Sequence, residues 1–462
     1  MFDKTGVIVI GNFNYKSKRY LFQVSKMDKI NIGLIGLGNI GTGVVKLLKQ
    51  NEELIAQKLG AKLILKKIAD IDITTSRGVK INKNLLTTNA REIINDKDIS
   101  IVIELMGGYE PARTFVLEAI AQGKHVVTAN KALLATYGNE IFPAAQKKEV
   151  DIGFEASVGG TIPIIKTLKE SLVANKINSL MGIMNGTCNF ILTKMTDEGK
   201  MFDEVLKEAQ KLGFAEADPT FDIEGIDTAH KMAIILSLAY GKKVNLKDIY
   251  LEGITKISRE DIAFAKELGY RIKLLAIAML KNDAVEARIH PTMISSGHLL
   301  ANVNRNYNAF HIVGDASGPV FLFGQGAGMM PTASAVFSDI IDIARNILKG
   351  ITYRVPLRSI GETAMTSIKL IPMDDIETKY YFRFSAIDRP GVLSKISGIL
   401  GENNISIATV IQKARGEGGA VPIVMTTYRA QEKNVRQALK KIDKLNMVMD
   451  KTILIRIEDE LN

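Results

Sequence analysis

An apolar run at residues 29–37, KINIGLIGL, ends in Gly36-Leu37-Gly38-Asn39-Ile40-Gly41 and passes at once into Val44, Val45, Leu47 and Leu48 at helical spacing. That order of strand, glycine turn and helix constrains the fold more than any other stretch of the chain. The first glycine permits the tight turn, the second lets the backbone come close to a pyrophosphate, and the third lets helix and strand pack closely. A helix N-terminus behind the turn presents free N–H groups to a phosphate. A glycine-rich turn with no ligand is the plain alternative; the flanking strand and helix favour a dinucleotide.

The pattern predicts a second strand over residues 62–69, KLILKKIA, followed by Asp70 and Asp72 and then by Arg77 and Lys80. An acid there suits a ribose 2′-hydroxyl and an arginine suits a 2′-phosphate, so both NAD and NADP stay open. Further strands over 99–105, ending at Met106-Gly107-Gly108, and over 125–129, ending at Asn130-Lys131, extend a Rossmann-type parallel sheet. Ligands of such sheets lie beyond the carboxyl ends of the strands, which places Lys131 beside the cofactor. Taken alone, Lys131 also fits an ordinary first residue of a helix.

Residues 209–231, AQKLGFAEADPTFDIEGIDTAHK, set acids and a lysine where core-building alone would not. From Ile226 onward, Ala229, Met232, Ala233, Ile235, Leu236 and Ala239 recur at helical spacing, while Asp227 and Lys231 share a second stripe with Ile234 and Leu238. A helix apolar nearly all round buries that pair at least in part, and buried charges are costly unless paired or functional. A structural ion pair four residues apart is the bland reading. The flanking Glu216, Asp218 and Asp222 argue for a site instead, since carboxylates can hold a substrate ammonium. A desolvated lysine has a lowered pKa and can exchange a proton with oxygen.

Whole-chain properties exclude several functions. A length of 462 residues suggests two to four domains. The single cysteine, Cys188, rules out an intramolecular disulfide, and five scattered histidines give no zinc-like spacing, so a reducing cytoplasm is expected. Cys188 reads as a small buried thiol rather than a nucleophile. No apolar run is long enough to span a bilayer. The net charge of +10 is spread along the chain, without tryptophan or a recognition motif, so it reads as a solvated basic surface and not as a nucleic-acid interface.

GLGNIG, ELMGGYEPA, VVTANKALLA, FEASVGGTIPI, NGTCNFIL, the 209–231 block and GQGAGMMPTA stand in one order that resembles the homoserine dehydrogenases, in their monofunctional form with a C-terminal ACT domain. Within the block, Ala209, Gly213, Asp218, Pro219, Asp222, Gly225, Asp227 and Lys231 match the family pattern. The resemblance covers almost everything from Asp28 onward and implies interconversion of L-homoserine and L-aspartate 4-semialdehyde with NAD or NADP, in the route to threonine, methionine and isoleucine. It implies that Lys231 is the acid/base, with Lys131 supporting it. Glu216 and Asp227 would hold the substrate ammonium or orient the lysines. Gly213, Asn185, Gly186 and Thr187 would contact substrate. The cofactor would lie on Gly36, Gly38, Asn39, Ile40, Gly41 and Lys131, with Arg77 at the ribose and Gly326 and Gly328 across the cleft. A structural sodium or potassium ion would map onto Glu155 and the carbonyls of Val158, Gly160 and Ile162; by spacing alone, a capped turn with Glu155 in a salt bridge fits as well. A related oxidoreductase for another amino-acid aldehyde, and a non-catalytic sensor, are the competing functions.

The expected organisation is an extension at 1–27, poorly ordered and beginning before the family's usual start; a Rossmann domain at 28–153, on which a helix at 330–350 packs back; and an α+β substrate and dimerisation domain at 154–329. A connector at 351–378 and a βαββαβ unit at 379–458 follow. In that unit DRPGVL and NNIS resemble an ACT domain, with Gly391 and Asn404 as effector contacts and L-threonine as the expected effector. A dimerisation sheet without effector binding is the alternative. The family's assembly implies a homodimer or homotetramer.

Overall fold

The computed structural model describes residues 28–413 and 420–459, so the expected extension lies outside the described residues. Strands β1 (Lys29–Ile35), β2 (Lys62–Ala69), β3 (Leu86–Thr87), β4 (Ile99–Glu104), β5 (His125–Thr128) and β6 (Ile152–Gly153) form one parallel sheet in the order β3-β2-β1-β4-β5-β6. The order reverses between β1 and β4, which opens a crevice at their carboxyl ends. These strands read as nearly continuous apolar runs because both faces are covered. On one face Ile32, Leu34, Ile101 and Ile103 pack against the helix Asn39–Gln50 and against Ala333, Val336 and Ile340 of the helix Met329–Leu348. That last helix begins one residue before the expected 330, where Gly328 turns at φ 130 and Pro331 falls in the first turn, so that a missing N–H costs nothing.

The residues expected to form the substrate domain are built on a second sheet. Gly318–Gln325, Tyr307–Gly314, β7 (Ile177–Ile183), Tyr270–Lys281 and Ala284–Ser295 lie side by side in that order. The helices Gly186–Glu198 and Ile226–Tyr240 cover one face, so the latter, expected to be apolar all round, is buried from Asp227 to Leu238.

The C-terminal unit has the βαββαβ order: Glu377–Ile387, helix Val392–Glu402, Ile407–Ile411, Ala420–Thr427, helix Glu432–Ile442 and Ile453–Glu458. Its first strand starts two residues before the expected boundary at 379, because Glu377 and Thr378 pair with Gln431 and Ala430. The unit is not a separate body. Thr292, Met293 and Ile294 pair in parallel with Arg456, Ile457 and Glu458, so the substrate-domain sheet runs on into the ACT sheet as one sheet of 11 strands. Side chains fix the seam: Arg288 Nη2 donates to Glu458 at 2.7 Å, and Arg456 Nη1 donates to Glu252 at 3.0 Å, both arginines being almost wholly buried. The connector is a strap. Tyr353 N donates to Asp151 at 2.9 Å, Arg358 pairs with Glu362 and reaches Asn139 at 2.8 Å, and Ser359 Oγ donates to the Leu238 carbonyl at 2.8 Å.

Candidate active site

Lys131 opens the helix Lys131–Lys147 at the carboxyl end of β5, and Asp227 lies in the first turn of Ile226–Tyr240. These two helices pack together at the junction of the two domains. Asp227 is the meeting point: Lys131 Nζ stands 3.1 Å from its Oδ1, and Lys231 Nζ donates to its Oδ2 at 2.7 Å. Asn185 Nδ2 donates to the same Oδ2 at 2.9 Å. Burial disfavours ionisation of Asp227, but the Lys231 and Lys131 ammoniums outweigh it and hold its carboxyl well below the usual carboxylate range. In return the Asp227 charge, against burial, raises Lys131 above the ordinary lysine range. At Lys131 the neighbouring carboxylate is a larger effect than desolvation. Lys231 is only 8% exposed and also donates to the Met184 carbonyl, at 2.6 Å, so its ammonium is fixed by two acceptors and keeps one N–H to offer.

The turn at 185–187 is held by acids from the 209–231 block. Asn185 caps the helix Gly186–Glu198 through Cys188 N and donates to Asp222 at 2.7 Å. Thr187 Oγ1 lies 2.6 Å from the Phe214 carbonyl and 3.1 Å from Asp222, its one proton shared between the two acceptors. Asp222 is thereby a brace for the turn. Burial, the largest influence on it, raises its carboxyl above the normal range. A Cβ on Gly186 would lie 2.8 Å from the Asn306 carbonyl, so close packing alone requires glycine there. Gly213 and Glu216 lie on an exposed loop at the mouth, Gly213 at φ 75 with open space around its Cβ position. Cys188 is wholly buried with its thiol pushed well up by desolvation, as befits a packing residue.

On the cofactor side, a Cβ on Gly41 would meet the Gly36 carbonyl at 2.1 Å, whereas one at Gly38 would meet nothing within 4 Å. The third glycine is thus needed for packing, and the second borders open space. The helix Asn39–Gln50 begins with no side-chain cap and no acid in its first turn, so Asn39 and Ile40 stand where N–H groups face an anion. These residues fit a dinucleotide phosphate. Asp70 Oδ2 accepts from Leu37 N inside the turn, and Arg77 lies 3.2 Å from Asp72. Across the cleft, Gly328 precedes the helix Met329–Leu348, which also starts without a side-chain cap. Gly326 has a different reason to be glycine: its Cβ position lies 2.1 Å from the Asn308 side chain.

Two residues of this region were not marked by the sequence. Asn308 is 1% exposed, donates to the Met184 carbonyl that Lys231 also uses, and leaves its own buried Oδ1 without a partner. Glu104, at the buried end of β4, accepts from Met106 N and Gly107 N and from Thr128 Oγ1 at 2.6 Å. Burial pushes its carboxyl up against those hydrogen bonds. Thr128 Oγ1 in turn receives Asn130 N at 2.9 Å, which sets the start of the Lys131 helix. An acid ending the apolar strand ISIVIE was the available signal for Glu104; Asn308 left none.

The Glu155 carboxylate accepts from Ile165 N at 2.8 Å and Lys166 N at 2.9 Å. It therefore caps a helix start, using one acceptor position on each of its two oxygens. Ile162 O already accepts from Ile164 N at 2.8 Å, whereas the carbonyls of Val158 and Gly160 accept no hydrogen bond among the described residues. What the loop offers a hard cation is backbone oxygen. Among the described residues no three His, Cys, Asp or Glu side chains are grouped to hold a metal ion. Gly391 and Asn404 stand at opposite ends of the helix Val392–Glu402, separated by about 16 Å of helical rise, so no single amino acid touches both in one protomer.

Family models match the chain in three consecutive pieces: a homoserine dehydrogenase NAD-binding domain over residues 36–155, homoserine dehydrogenase over 163–341, and an ACT domain over 380–446. The homoserine dehydrogenase of Neisseria gonorrhoeae is 45% identical over 432 residues, covering 94% of this chain and 99% of that protein. The chain belongs to the homoserine dehydrogenase family. The enzyme from Bacillus subtilis is 39% identical over 94% of the chain and 99% of its own length. A crystal structure of a homoserine dehydrogenase from Thiobacillus denitrificans superposes with a TM-score of 0.89 at 47% identity, covering 94% of this chain and 99% of that one. A hyperthermophilic archaeal homoserine dehydrogenase in complex with NADPH matches 71% of the chain and 100% of its own, with a TM-score of 0.59 at 28% identity. This homoserine dehydrogenase is thus an NAD(P)-dependent oxidoreductase with a Rossmann domain and a C-terminal ACT domain. No helix among its described residues is long and apolar enough to cross a membrane.

Proposed function

We propose that Lys231 is the proton donor and acceptor for the interconversion of L-aspartate 4-semialdehyde and L-homoserine, with Asp227 and Lys131 setting its position and charge. The observation that carries this reading is the convergence of Lys131 from the cofactor domain and Lys231 from the substrate domain on the two oxygens of one buried carboxylate. Bound nicotinamide supplies or accepts the hydride. Lys231 directs its free N–H to the substrate oxygen, giving a proton in the reducing direction and taking it back, directly or through water, in the other. Lys131 stabilises the negative charge that Asp227 carries and keeps the carboxylate from drawing the Lys231 proton. Asn185, Gly186 and Thr187 form the wall braced by Asp222, and Glu216, on the loop with Gly213, reaches for the substrate ammonium as that loop covers the mouth.

Gly36, Gly38, Asn39, Ile40 and Gly41 hold the NAD or NADP phosphates, with Gly326 and Gly328 opposite. A sodium or potassium ion on the Val158 and Gly160 carbonyls would order the turn leading into the helix that Glu155 caps. The ACT unit takes an amino acid, with L-threonine as the reading, on Gly391 and Asn404; the helix that separates these two residues within one protomer supports a site shared between two copies of the chain, in a homodimer or homotetramer. Its place is the cytoplasm, where the nicotinamide pool and the pathway substrates are.

The test is Lys231→Ala, followed by nicotinamide absorbance with L-homoserine and by NADH binding. Turnover falls by about 10²-fold or more while NADH binding stays within a factor of about two. Near-native turnover in that variant refutes the role given to Lys231.

A further inference from the structure

Asn308 lies on the strand Tyr307–Gly314, on the face that buries Phe310 and Ile312, where the alternation calls for an apolar side chain. Its neighbour across the sheet explains the amide. The ladder between this strand and β7 has Ala309 opposite Ile183, so Asn308 stands beside Met184, one step past the last paired residue. The Met184 carbonyl accepts from Asn308 Nδ2 at 3.0 Å and from Lys231 Nζ at 2.6 Å. A carbonyl has two lone pairs, and these two donors use both. The orientation of the amide follows: turned over, Asn308 would set its own oxygen against the Met184 oxygen, acceptor against acceptor.

Structure alone does not call for this residue. Asn308 Oδ1 is buried and has no hydrogen-bond partner among the described residues. Burying an unpaired oxygen costs free energy, and a valine would suit the strand position without that cost. What a valine could not do is donate to the Met184 carbonyl. The amide is also held from the cofactor side, because a Cβ on Gly326 would overlap it, so the Gly326 backbone lies directly against Asn308. One side chain therefore touches both the carbonyl that anchors Lys231 and the segment that leads into the helix Met329–Leu348 across the cleft.

We propose that Asn308 is a positioning residue for Lys231. By filling one lone pair of the Met184 oxygen it leaves Lys231 the other, so the ammonium has one place to sit, between that oxygen and Asp227 Oδ2, and its remaining N–H points in one direction. Because the same amide rests on Gly326, that direction is set relative to the cofactor side of the cleft. Asn308 itself touches neither substrate nor the reacting atoms. The inference rests on Lys231 as the proton donor and acceptor.

The test places Asn308→Val, which keeps a carbon against Gly326 and loses the amide, and Asn308→Ala in the full-length protein and again in Lys231→Ala. In the wild-type background each lowers kcat for L-homoserine oxidation by about 10-fold or more, while KM for L-homoserine and NADH affinity, read by its fluorescence, stay within about threefold. The solvent deuterium isotope effect on kcat rises, since a misaimed lysine makes proton transfer slow. In Lys231→Ala neither substitution lowers the residual turnover by more than about twofold, because the group they misplace is gone. A kcat near wild type in either variant that still binds NADH, with Lys231→Ala impaired, overturns this inference alone. A loss confined to KM overturns it too, as does an equal further loss in the Lys231→Ala background, which would show that Asn308 acts on another group. Near-native turnover in Lys231→Ala itself removes the reading of Lys231, and this inference with it.

Discussion

Replacing Asp227 by Asn tests the centre of the site with the smallest possible change of shape. Three donors converge on this carboxylate: Lys131 at 3.1 Å, Lys231 at 2.7 Å and Asn185 at 2.9 Å. An amide has one accepting oxygen and two N–H groups of its own, so at least one N–H is turned toward a donor. The Lys231 ammonium, with a side chain 10% exposed, would lose its only carboxylate partner among the described residues. Removing one member of a buried pair costs about 3–5 kcal/mol. Turnover falls as well, by about 10²-fold or more, because the proton donor loses its orientation and Lys131 its counter-charge. Urea denaturation and steady-state oxidation of L-homoserine measure the two effects. A stability loss under about 1 kcal/mol with kcat within a few-fold of wild type would show that the convergence on Asp227 carries neither fold nor function.

The same variant has a signature in pH. Asp227 is held below its ordinary range, so its contribution is fully present above about pH 4 and is lost as pH falls through the folded-state value. Lys131 is raised, so its contribution is present below about pH 10 and is lost as pH rises through its folded-state value. The stability difference between wild type and Asp227→Asn is therefore flat across neutral pH and closes at both extremes. A difference that grew toward either extreme would contradict the assignment.

Two further predictions concern buried charge away from the site. Arg456 and Glu432 are both wholly buried, so Arg456→Ala leaves Glu432 with only the half-exposed Arg436 as a cationic partner and lowers stability by about 3 kcal/mol, read from the denaturant midpoint; a loss under about 1 kcal/mol would show that Arg436 alone balances the buried carboxylate. Burial and the neighbouring Asp339 push the Glu155 carboxyl up to about 7, and burial likewise pushes Asp339 to about 6, against Lys166. The folded chain then keeps protons that the unfolded chain releases, so this pair lowers stability as pH rises from about 4 to about 7, and Asp339→Asn flattens that slope; an unchanged slope in thermal melts across the range refutes the assignment.

What the sequence made legible was local. The strand, glycine turn and helix at 29–50 lie where the pattern placed them, and the four-residue spacing of Asp227 and Lys231 became an ion pair of 2.7 Å. The other half of that pair's environment came from far along the chain. Lys131 reaches Asp227 only because two helices from different domains cross, and Asn308 reaches the Met184 carbonyl from a strand whose own alternation reads as plain core. The direction of the Lys131 shift depended on that distant contact too: burial alone lowers a lysine, and a carboxylate 3.1 Å away reverses the sign. The continuous sheet follows the same rule. An ACT unit's closing strand has one edge open by itself, and nothing in ILIRIE says which strand will cover it. Arg456 within that strand was the one irregular note, an arginine among alternating isoleucines. Its partners Glu432 and Glu252 lie in an ACT helix and beside the substrate domain's Gly253, where a Cβ would meet Glu224 backbone at 2.6 Å. Glu224 follows the Asp222 brace by two residues, so the charge that pins the ACT unit and the acid that props the substrate turn belong to one packed chain of contacts.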